Sequence, residues 1–385
     1  MRAGGAPARS GARGVAILGS TGSIGTTALR VLARHPQRFR AAALTAFANG
    51  ALLREQEELV CPGYVGLVGD GAAQPHWRTG RGCLVEAATL PGADIVLNAV
   101  VGAAGMDATL AALEAGKRVA LANKESLVMA GALVSEACRR GGGEIVPVDS
   151  EHSAILQCLA GRRPADVRRV ILTASGGPFR DWSRDRLDRA TVADALQHPT
   201  WRMGRKITVD SATLANKALE VIEAHFLFGL DYDQIDVVVH PQSVVHSFVE
   251  FVDGSVVAQL GVPSMELPVL YALTHPERVA DAGVPPFDPV ELSPLTYEPV
   301  RWDAFPALRL GIEAGRAGGA APAVFNAANE QAVAAFLDGR LRFGEIAPAI
   351  ASALDVGAGA PARSRDEIVA ADAAARRHVR GIVGC

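Results

Sequence analysis

Short apolar runs alternate with amphipathic stretches along the first part of the chain. Six runs, VAILG, AAALTAF, VGLVG, DIVLNAV, RVALAN and EIVPVD, are separated by stretches with helical spacing such as TTALRVLARH and DATLAALEAG. Strands that are apolar on both faces are typical of parallel sheets covered by helices on both sides. The pattern predicts an α/β domain over residues 14–149, whose ligands lie beyond the carboxyl ends of the strands.

The pattern changes after residue 150. The segment VRRVILTASG predicts a strand, and ATLANKALEVIEAHFLFG predicts one helix of about five turns. The strand IDVVVHP follows, and SVVHSFVEFVDGSVVAQLG predicts a hairpin with Asp253-Gly254 at its turn. We expect a second domain of α+β type over residues 150–276, with a sheet edge that suits dimer formation.

The rest of the chain divides into a proline-rich stretch and a helical one. Residues 277–300 have little periodicity and are predicted to be a linker. Four segments with helical spacing follow, which predicts a small helical domain over residues 301–385. The first 13 residues are basic but lack the apolar core of a signal peptide, so we expect a disordered extension over residues 1–13.

Composition narrows the class of protein. A chain of 385 residues is expected to form two or three domains. A net charge of −3 argues against a nucleic-acid partner, and no apolar run is long enough to suggest a membrane partner. The five cysteines have no close spacing, which predicts reduced thiols in a cytoplasmic protein.

A glycine-rich turn follows the first predicted strand. Gly19, Gly22 and Gly25 form the pattern G-x-x-G-x-x-G where a helix begins. Such glycines permit a tight turn, the approach of a pyrophosphate, and close packing of helix on strand, which favours dinucleotide binding in a Rossmann-like domain. The second strand ends in FAN at residues 47–49, without the acid that binds a ribose 2′-hydroxyl. This absence favours NADP over NAD.

Three acidic residues are candidates for a cation site. Asp149 and Glu151 lie two apart where a strand is predicted to end, so they would share a face and repel unless a proton or a cation lies between them. Glu220 shares one side of a predicted helix with Asn216 and Lys217. Converging carboxylates would suit Mg²⁺ or Mn²⁺. The alternatives are a solvated strand end and a surface Lys–Glu pair.

Other polar residues suit an anionic ligand. Ser175 closes a predicted strand and Ser211 precedes the polar pair 216–217, a combination typical of phosphate sites, although each is singly more common as a cap. The polar segment 177–203 contains His198 and Trp201 and is predicted to be a mobile lid, with a packed tryptophan as the alternative. Lys124 follows a strand and could neutralise an oxyanion, or be an exposed residue at a capped helix start.

Eight segments, in order, resemble the 1-deoxy-D-xylulose 5-phosphate reductoisomerase family: GSTGSIG, ANKESLV, VDSEHSAI, TASGGPF, HPTWRMG, ITVDSATLANKALE, HPQSVVHS and FNAANEQAV. The family forms 2-C-methyl-D-erythritol 4-phosphate in non-mevalonate isoprenoid synthesis. The resemblance implies a Rossmann-like NADP-binding domain, an α+β catalytic and dimerisation domain, and a C-terminal helical domain. It also implies a homodimer, a sugar-phosphate substrate, and NADPH and Mg²⁺ or Mn²⁺ as cofactors.

The resemblance also implies roles for individual residues. The cation would be held by Asp149, Glu151 and Glu220, and Lys124 and His198 would join them in catalysis. Substrate contacts would come from Lys124, Ser150, Glu151, Ser175, His198, Trp201, Ser211, Asn216, Lys217 and Glu220. NADPH contacts would come from Thr21, Gly22, Ser23, Ile24, Asn49, Asn123, Glu125 and Gly204.

The chain departs from the family pattern at two positions. Ala48 stands where some members have a lysine, which leaves the group that binds the 2′-phosphate unassigned. Ala218 stands where a glycine usually follows the lysine. The extra methyl group favours the helix by ~1 kcal/mol, and we expect it to crowd the substrate pocket slightly while activity is retained.

Two other classes of protein carry similar glycine turns. A semialdehyde dehydrogenase would need a nucleophilic cysteine and no metal, and no cysteine here lies at a predicted strand–helix corner. A nucleotide sensor would keep the turn and lose the acids. The presence of all three acids, the lysines and the serines argues against the sensor.

Overall fold

The structure, a computed structural model, describes residues 11–384. The predicted extension over residues 1–13 thus lies outside the described residues, except for its last three positions. The first strand already begins at Arg13.

A seven-stranded parallel sheet forms the first part of the chain. Its spatial order is β4-β3-β2-β1-β5-β6-β7. All six predicted strands are confirmed, and the additional β4 is a short exposed pair without an apolar signal. The strands are β1 (Arg13–Leu18), β2 (Phe39–Ala46), β3 (Tyr64–Leu67), β4 (Arg78–Thr79), β5 (Ile95–Asn98), β6 (Arg118–Leu121) and β7 (Glu144–Pro147).

Helices cover both faces of this sheet, as its apolar strands predict. Along β1, Val15 and Ile17 lie in one apolar cluster, and Ala16 and Leu18 lie in another. Alternate residues of such a strand are buried in two separate cores. The strand is therefore apolar on both of its faces. The connecting helices are α1 (Ser23–Arg34), α2 (Gly50–Val60), α3 (Gly82–Thr89), α4 (Met106–Glu114) and α5 (Lys124–Gly141).

A second, mixed sheet follows in the order β11-β10-β8-β9. The predicted hairpin is confirmed, with Gly254 at its turn in a left-handed conformation (φ 84°). Its strands are β8 (Val167–Ala174), β9 (Ile235–Val239), β10 (Val245–Phe251) and β11 (Val256–Leu260). The helices of this part are α6 (Ser150–Leu159), α7 (Arg184–Leu187), α8 (Val192–Ala195), α9 (Arg205–Thr213), α10 (Ala215–Phe228) and α11 (Glu266–Thr274).

The predicted helix of about five turns is confirmed as α10, but it begins three residues later than expected, because the first two predicted residues belong to α9. α9 and α10 are separated by Leu214, whose backbone is left-handed with a φ of 59°. Leucine is a strong helix former and gives no local signal of a break. Its side chain is buried in the core shared with the C-terminal helices. Tertiary packing therefore holds a backbone conformation that an L-residue disfavours.

α11 was not predicted, because its residues are apolar on all sides and show no helical period. It packs on α1, α6, β6 and β7, and α6 itself contacts strands of both sheets. The limits of the predicted domains at residues 149 and 276 therefore stay predictions.

The remainder is a bundle of four helices after an irregular stretch. Residues 277–300 contain no helix, and a single backbone pairing joins Glu298 to Val239. The four predicted helices are confirmed as α12 (Pro306–Ala317), α13 (Ala321–Leu337), α14 (Ile346–Gly357) and α15 (Arg365–Val383). They share an apolar core with α9 and α10. Within the described residues, no helix combines the length and apolarity needed to cross a bilayer.

Candidate active site

A cavity of about 470 Å³ lies at the carboxyl ends of the first sheet. It is lined by the β1–α1 turn, the starts of α5 and α6, the end of β8, the coil after α8, and α9 with α10. All of the residues predicted to hold cation or substrate line this one cavity: Lys124, Asp149, Ser150, Glu151, Ser175, His198, Trp201, Ser211, Asn216, Lys217 and Glu220.

Asp149 and Glu151 meet at a helix start and not along a strand. β7 ends at Pro147, and the Asp149 carboxylate caps α6 by accepting a hydrogen bond from the Ser150 N–H at 3.0 Å. Glu151 lies in the first turn of α6, where the helix dipole favours negative charge. The two carboxylates lie close together, as the sequence predicts, but the prediction that they lie along a strand is wrong.

Glu220 of α10 completes a three-carboxylate cluster. Oxygen atoms of Asp149, Glu151 and Glu220 lie within 4.8 Å of one another. Glu220 is 1% exposed, so the surface Lys–Glu pair is excluded. Three carboxylates without nitrogen or sulfur ligands suit a hard cation such as Mg²⁺ or Mn²⁺.

Two lysines approach the carboxylates from different helices. Lys124 Nζ bonds Asp149 and lies 3.2 Å from Glu220 Oε1. Lys217 Nζ bonds Glu220 and lies 2.8 Å from Glu151 Oε1. Both lysines are buried, so the alternative of an exposed Lys124 is wrong, although the helix start is capped as that alternative expected.

The carboxylates differ in their proton affinity. Burial and the neighbouring Glu151 raise the pKa of Glu220 to about 7. Burial acts in the same direction on Asp149, but the charges of Lys124 and His152 outweigh it and hold the pKa of that carboxyl at about 2. A divalent cation among these oxygens would replace the Glu220 proton and offset the repulsion between the acids. The donor set therefore fits the cation that the sequence predicts.

A buried histidine–glutamate pair lies behind the cluster. His152 donates from Nε2 to the Glu220 carbonyl oxygen at 2.9 Å, and its Nδ1 lies 3.3 Å from Glu223 Oε2. Together with Asp149 they form a second group with metal-ligand geometry. Sequence reasoning missed both residues, because Glu223 lies among apolar neighbours on α10 and His152 is one of several polar residues at the start of α6.

His198 fixes the turn that leads to Trp201. Its Nδ1 accepts hydrogen bonds from the backbone N–H groups of Thr200 and Trp201, at 3.1 and 2.9 Å. The proton of the neutral ring therefore lies on Nε2, which is 3.0 Å from Ser175 Oγ. Burial lowers the pKa of His198 to about 4, so the ring is neutral at physiological pH.

The break at Leu214 shapes the predicted phosphate site. Ser211 lies near the end of α9, and Asn216 and Lys217 lie in the first turn of α10. A helix start presents free backbone N–H groups and partial positive charge to an anion. Gly177 approaches from the other side, where a Cβ atom would lie 2.7 Å from the Ser211 carbonyl oxygen. The residues predicted to bind phosphate thus surround one helix terminus.

The glycine turn has the geometry that its sequence predicts. Gly19 is left-handed (φ 86°), and a Cβ on Gly25 would lie 2.3 Å from the Gly19 carbonyl oxygen. The predicted NADPH residues Gly22, Ser23 and Ile24 line the cavity, as do Glu125 and Gly204. The N-terminus of α1 therefore opens towards the carboxylate cluster.

Three predicted cofactor residues do not line the cavity. Thr21 lies within the turn. Asn49 is exposed and caps α2, accepting a hydrogen bond from Leu52 N–H at 3.1 Å. Asn123 is buried and caps α5. Their roles towards NADPH stay predictions.

Only part of the segment 177–203, which is predicted to be a mobile lid, borders the cavity. Phe179 is fully buried in the core shared with the C-terminal helices, and α7 and α8 follow it. Only the coil over residues 197–204 borders the cavity. Trp201 lies there, with its ring 6.5 Å from that of His246. His246 also lines the cavity and was not assigned from the sequence, because its position on β10 carries no separate signal.

Ala218 does not crowd the substrate pocket, and that expectation is wrong. It is fully buried and faces α12, where a Cβ on Gly311 would lie 2.5 Å from Ala218 Cβ. The missing side chain at Gly311 makes the room for the extra methyl group.

No described cysteine lines the cavity. Cys61, Cys83, Cys138 and Cys158 are free thiols, and all four lie elsewhere. A mechanism that needs a thiol nucleophile is therefore not supported by the part of the chain that the structure describes.

A dinucleotide-binding sheet that faces a buried carboxylate cluster defines a metal-assisted oxidoreductase. Three family models match consecutive parts of the chain: 1-deoxy-D-xylulose 5-phosphate reductoisomerase over residues 15–131, its C-terminal domain over residues 145–228, and the DXP reductoisomerase C-terminal domain over residues 260–378. The chain belongs to the 1-deoxy-D-xylulose 5-phosphate reductoisomerase family, and it is an enzyme.

Relatives with this name match along the whole chain. The one from Gloeobacter violaceus is 49% identical over 383 residues, covering 96% of this chain and 97% of its own. The one from Thermomicrobium roseum is 51% identical over 378 residues, covering 96% and 98%.

Solved structures of relatives have the same fold. A DOX-P reductoisomerase in complex with NADPH, fosmidomycin and magnesium has a TM-score of 0.90 at 38% identity and covers 97% of this chain and 98% of its own. The enzyme from Zymomonas mobilis in complex with NADPH has a TM-score of 0.89 at 41% identity, with 97% and 99% covered. The predicted three-part fold is confirmed.

Proposed function

We propose that this chain converts 1-deoxy-D-xylulose 5-phosphate into 2-C-methyl-D-erythritol 4-phosphate, by rearrangement and then reduction, in non-mevalonate isoprenoid precursor synthesis. One observation carries the proposal: three carboxylates and two lysines converge in a cavity that also opens onto the glycine turn of a dinucleotide-binding sheet. Membership of the reductoisomerase family supports it.

Asp149, Glu151 and Glu220 are the residues that would hold Mg²⁺ or Mn²⁺. When bound, the cation polarises the carbonyl group of the substrate and orients a neighbouring hydroxyl group. Lys124 points its ammonium group at two of the same carboxylates, so it donates to a substrate oxygen placed there and stabilises negative charge on it.

The phosphate group binds at the start of α10. Lys217 supplies the charge, and Ser175, Ser211 and Asn216 supply neutral hydrogen bonds around it. His198 donates from Nε2 to Ser175 Oγ, which orients that hydroxyl group towards the ligand. The phosphate group is remote from the reacting carbon atoms. Its binding energy can move the coil of residues 197–204 over the cavity and exclude water.

NADPH binds across the glycine turn and supplies the hydride for the reduction. The N-terminus of α1 at Gly22 and Ser23 is the site for its pyrophosphate. Glu125 and Gly204 line the same cavity as the turn and the carboxylates. In this arrangement, the hydride donor of NADPH would lie in the same cavity as a substrate held at the carboxylates.

The active unit is a homodimer in the cytoplasm. β11 is the edge strand of the second sheet and exposes Val256 and Leu260, the kind of surface that a second copy covers. The free thiols of the described cysteines support a reducing compartment.

The test is oxidation of NADPH in the presence of 1-deoxy-D-xylulose 5-phosphate, followed by absorbance after chelation and readdition of Mg²⁺ or Mn²⁺. We expect oxidation that needs both the sugar phosphate and the cation. Oxidation that persists without any cation would contradict the carboxylate mechanism. A folded chain that binds NADPH but does not oxidise it with this substrate would contradict the substrate assignment.

A further inference from the structure

Lys206 is a partly buried cation that lines the cavity and is used by neither the carboxylate cluster nor the phosphate site. It lies in the first turn of α9, directly after Gly204 and Arg205, and its side chain is 19% exposed. Its Nζ lies 3.0 Å from Glu125 Oε1 and 2.8 Å from Asp210 Oδ2. The lysine therefore joins α9, which follows the coil, to α5, which begins at the end of the first sheet.

Glu125 connects Lys206 to the strand ends of the first sheet, through Asn123. Asn123 donates from Nδ2 to Glu125 Oε2 at 3.0 Å. The same amide group lies 2.7 Å from the Val100 carbonyl oxygen and 2.9 Å from that of Gly102. One ammonium group thus fixes the Asn123–Glu125 pair, which in turn fixes the loop after β5.

Asp210 extends the contact in the other direction. Asn329 of α13 donates from Nδ2 to Asp210 Oδ1 at 2.8 Å, and both residues are buried. The charges of Asp210, Glu125 and Glu330 of α13 attract the Lys206 ammonium group. This attraction outweighs the effect of burial and holds the pKa of the lysine above its ordinary value. Without the ammonium group, Glu125 and Asp210 would be left as buried carboxylates without their cation.

A buried ion pair is by itself weak evidence of a stabilising role, because desolvation cancels much of the attraction. The position of this one is more informative. It joins the first turn of α9, next to Gly204, to the first turn of α5 at Glu125, and Gly204, Lys206 and Glu125 all line the cavity. The spacing between these two helix starts therefore affects the room that the cavity leaves for a ligand.

We propose that Lys206 is a positioning residue for the cofactor: its ion pairs with Glu125 and Asp210 set the width of the part of the cavity where NADPH binds. The inference rests on the proposed function, since it takes NADPH as the cofactor. Lys206 acts through Glu125 and Gly204 and does not touch the reacting atoms.

The test is titration of the full-length protein with NADPH alone, followed by fluorescence, so that no turnover is needed. We expect Lys206→Met to weaken NADPH binding at least tenfold and Lys206→Arg to restore most of it. Adding Glu125→Gln to Lys206→Met should recover part of the affinity, because it removes one uncompensated carboxylate. If Lys206→Met does not fold, Lys206→Gln replaces it, with the same expected loss.

Lys117→Met is the matched control, because Lys117 is a half-buried lysine at the opposite end of the sheet that donates to the Leu90 carbonyl oxygen at 2.5 Å. We expect this variant to bind NADPH as the wild type does. If Lys206→Met binds NADPH with wild-type affinity and only its unfolding temperature is lower, the inference about Lys206 is overturned. The proposed function is not affected by that result. Failure of the wild-type chain to bind NADPH would overturn the proposed function, and the inference with it.

Discussion

The Nζ atom of Lys217 lies 2.8 Å from Oε1 of Glu151. A residue of the phosphate site thus neutralises a residue of the cation site. A divalent cation that binds Glu151 competes with the Lys217 ammonium group for the same oxygen. The ammonium group is then free to bind an anion. The two ligand sites are therefore expected to support each other through this one ion pair.

Cation and phosphate should bind with positive cooperativity. Mn²⁺ releases Lys217 from Glu151, so we expect inorganic phosphate to bind several-fold more tightly when Mn²⁺ is present. Calorimetric titration of phosphate with and without Mn²⁺ measures the effect, and Lys217→Met is expected to abolish it. Equal phosphate affinity in both conditions would show that the ion pair does not couple the sites.

Glu220→Gln should strongly reduce turnover without weakening the binding of NADPH. Glutamine keeps the shape of the side chain but removes a charged ligand from the cation site, and we expect the turnover number to fall at least about a hundredfold. NADPH affinity, measured by fluorescence titration, should stay within about twofold of wild type, because Glu220 belongs to the carboxylate cluster. Unchanged turnover would remove Glu220 from the cation site.

Cation affinity should fall in acid. Burial raises the pKa of Glu220 to about 7, so below that pH a cation must displace a proton from this carboxyl. We expect Mn²⁺ affinity to drop about tenfold for each pH unit below 7 and to level off above it. Electron paramagnetic resonance of free Mn²⁺ gives the affinity. In Glu220→Gln the slope should disappear, and a slope that persists there would assign the proton to another group.

His198 should bind substrate as a neutral hydrogen-bond donor. Its pKa of about 4 predicts no titration of this ring between neutral pH and mild acid. His198→Asn keeps an acceptor for the Thr200 and Trp201 N–H groups but loses the contact with Ser175. We expect the KM for the sugar phosphate to rise about threefold to tenfold with little change in NADPH affinity. An unchanged KM would show that His198 fixes the turn at Thr200 and Trp201 but does not contribute to substrate binding.

Gly311 should be intolerant of a side chain as long as Ala218 is present. A Cβ there would lie 2.5 Å from Ala218 Cβ and 2.7 Å from Phe325 Cζ. We expect Gly311→Ala to lower the free energy of unfolding by about 1–3 kcal/mol. Adding Ala218→Gly should recover part of this loss, because Phe325 still opposes the new methyl group. Denaturant unfolding of both single variants and the double variant tests the coupling.

The sequence was sufficient for six of the seven strands of the first sheet, because each of these six is an apolar run, whereas β4 is a short exposed pair. It was also sufficient for the four C-terminal helices, whose apolar positions recur at helical spacing. It failed at Leu214 and at α11, where burial against other elements outweighs the local pattern. No spacing rule indicates a left-handed leucine, and a helix that is apolar on every side has no period to detect.

The acids proposed for the cation site were named from the sequence and their oxygen atoms lie close together in the structure, but their arrangement was not predicted. Asp149 and Glu151 come together because one caps α6 and the other lies in its first turn, whereas alternation along a strand was expected. Glu220 reaches them only through the packing of α10, a long-range contact. Lys206 gave no signal, since a lysine near a helix start is usually exposed and its partners lie far away in the chain.

Phe179 limits how much of the segment 177–203 can move over the cavity, because its ring is buried in the core. With that ring fixed in the core, the free chain is the short coil of residues 197–204. A loop of this kind moves within nanoseconds to microseconds, whereas an enzyme of ordinary speed completes on the order of ten cycles per second. We expect Trp201 to cross the mouth of the cavity many times in each cycle, so that another step sets the pace of the enzyme.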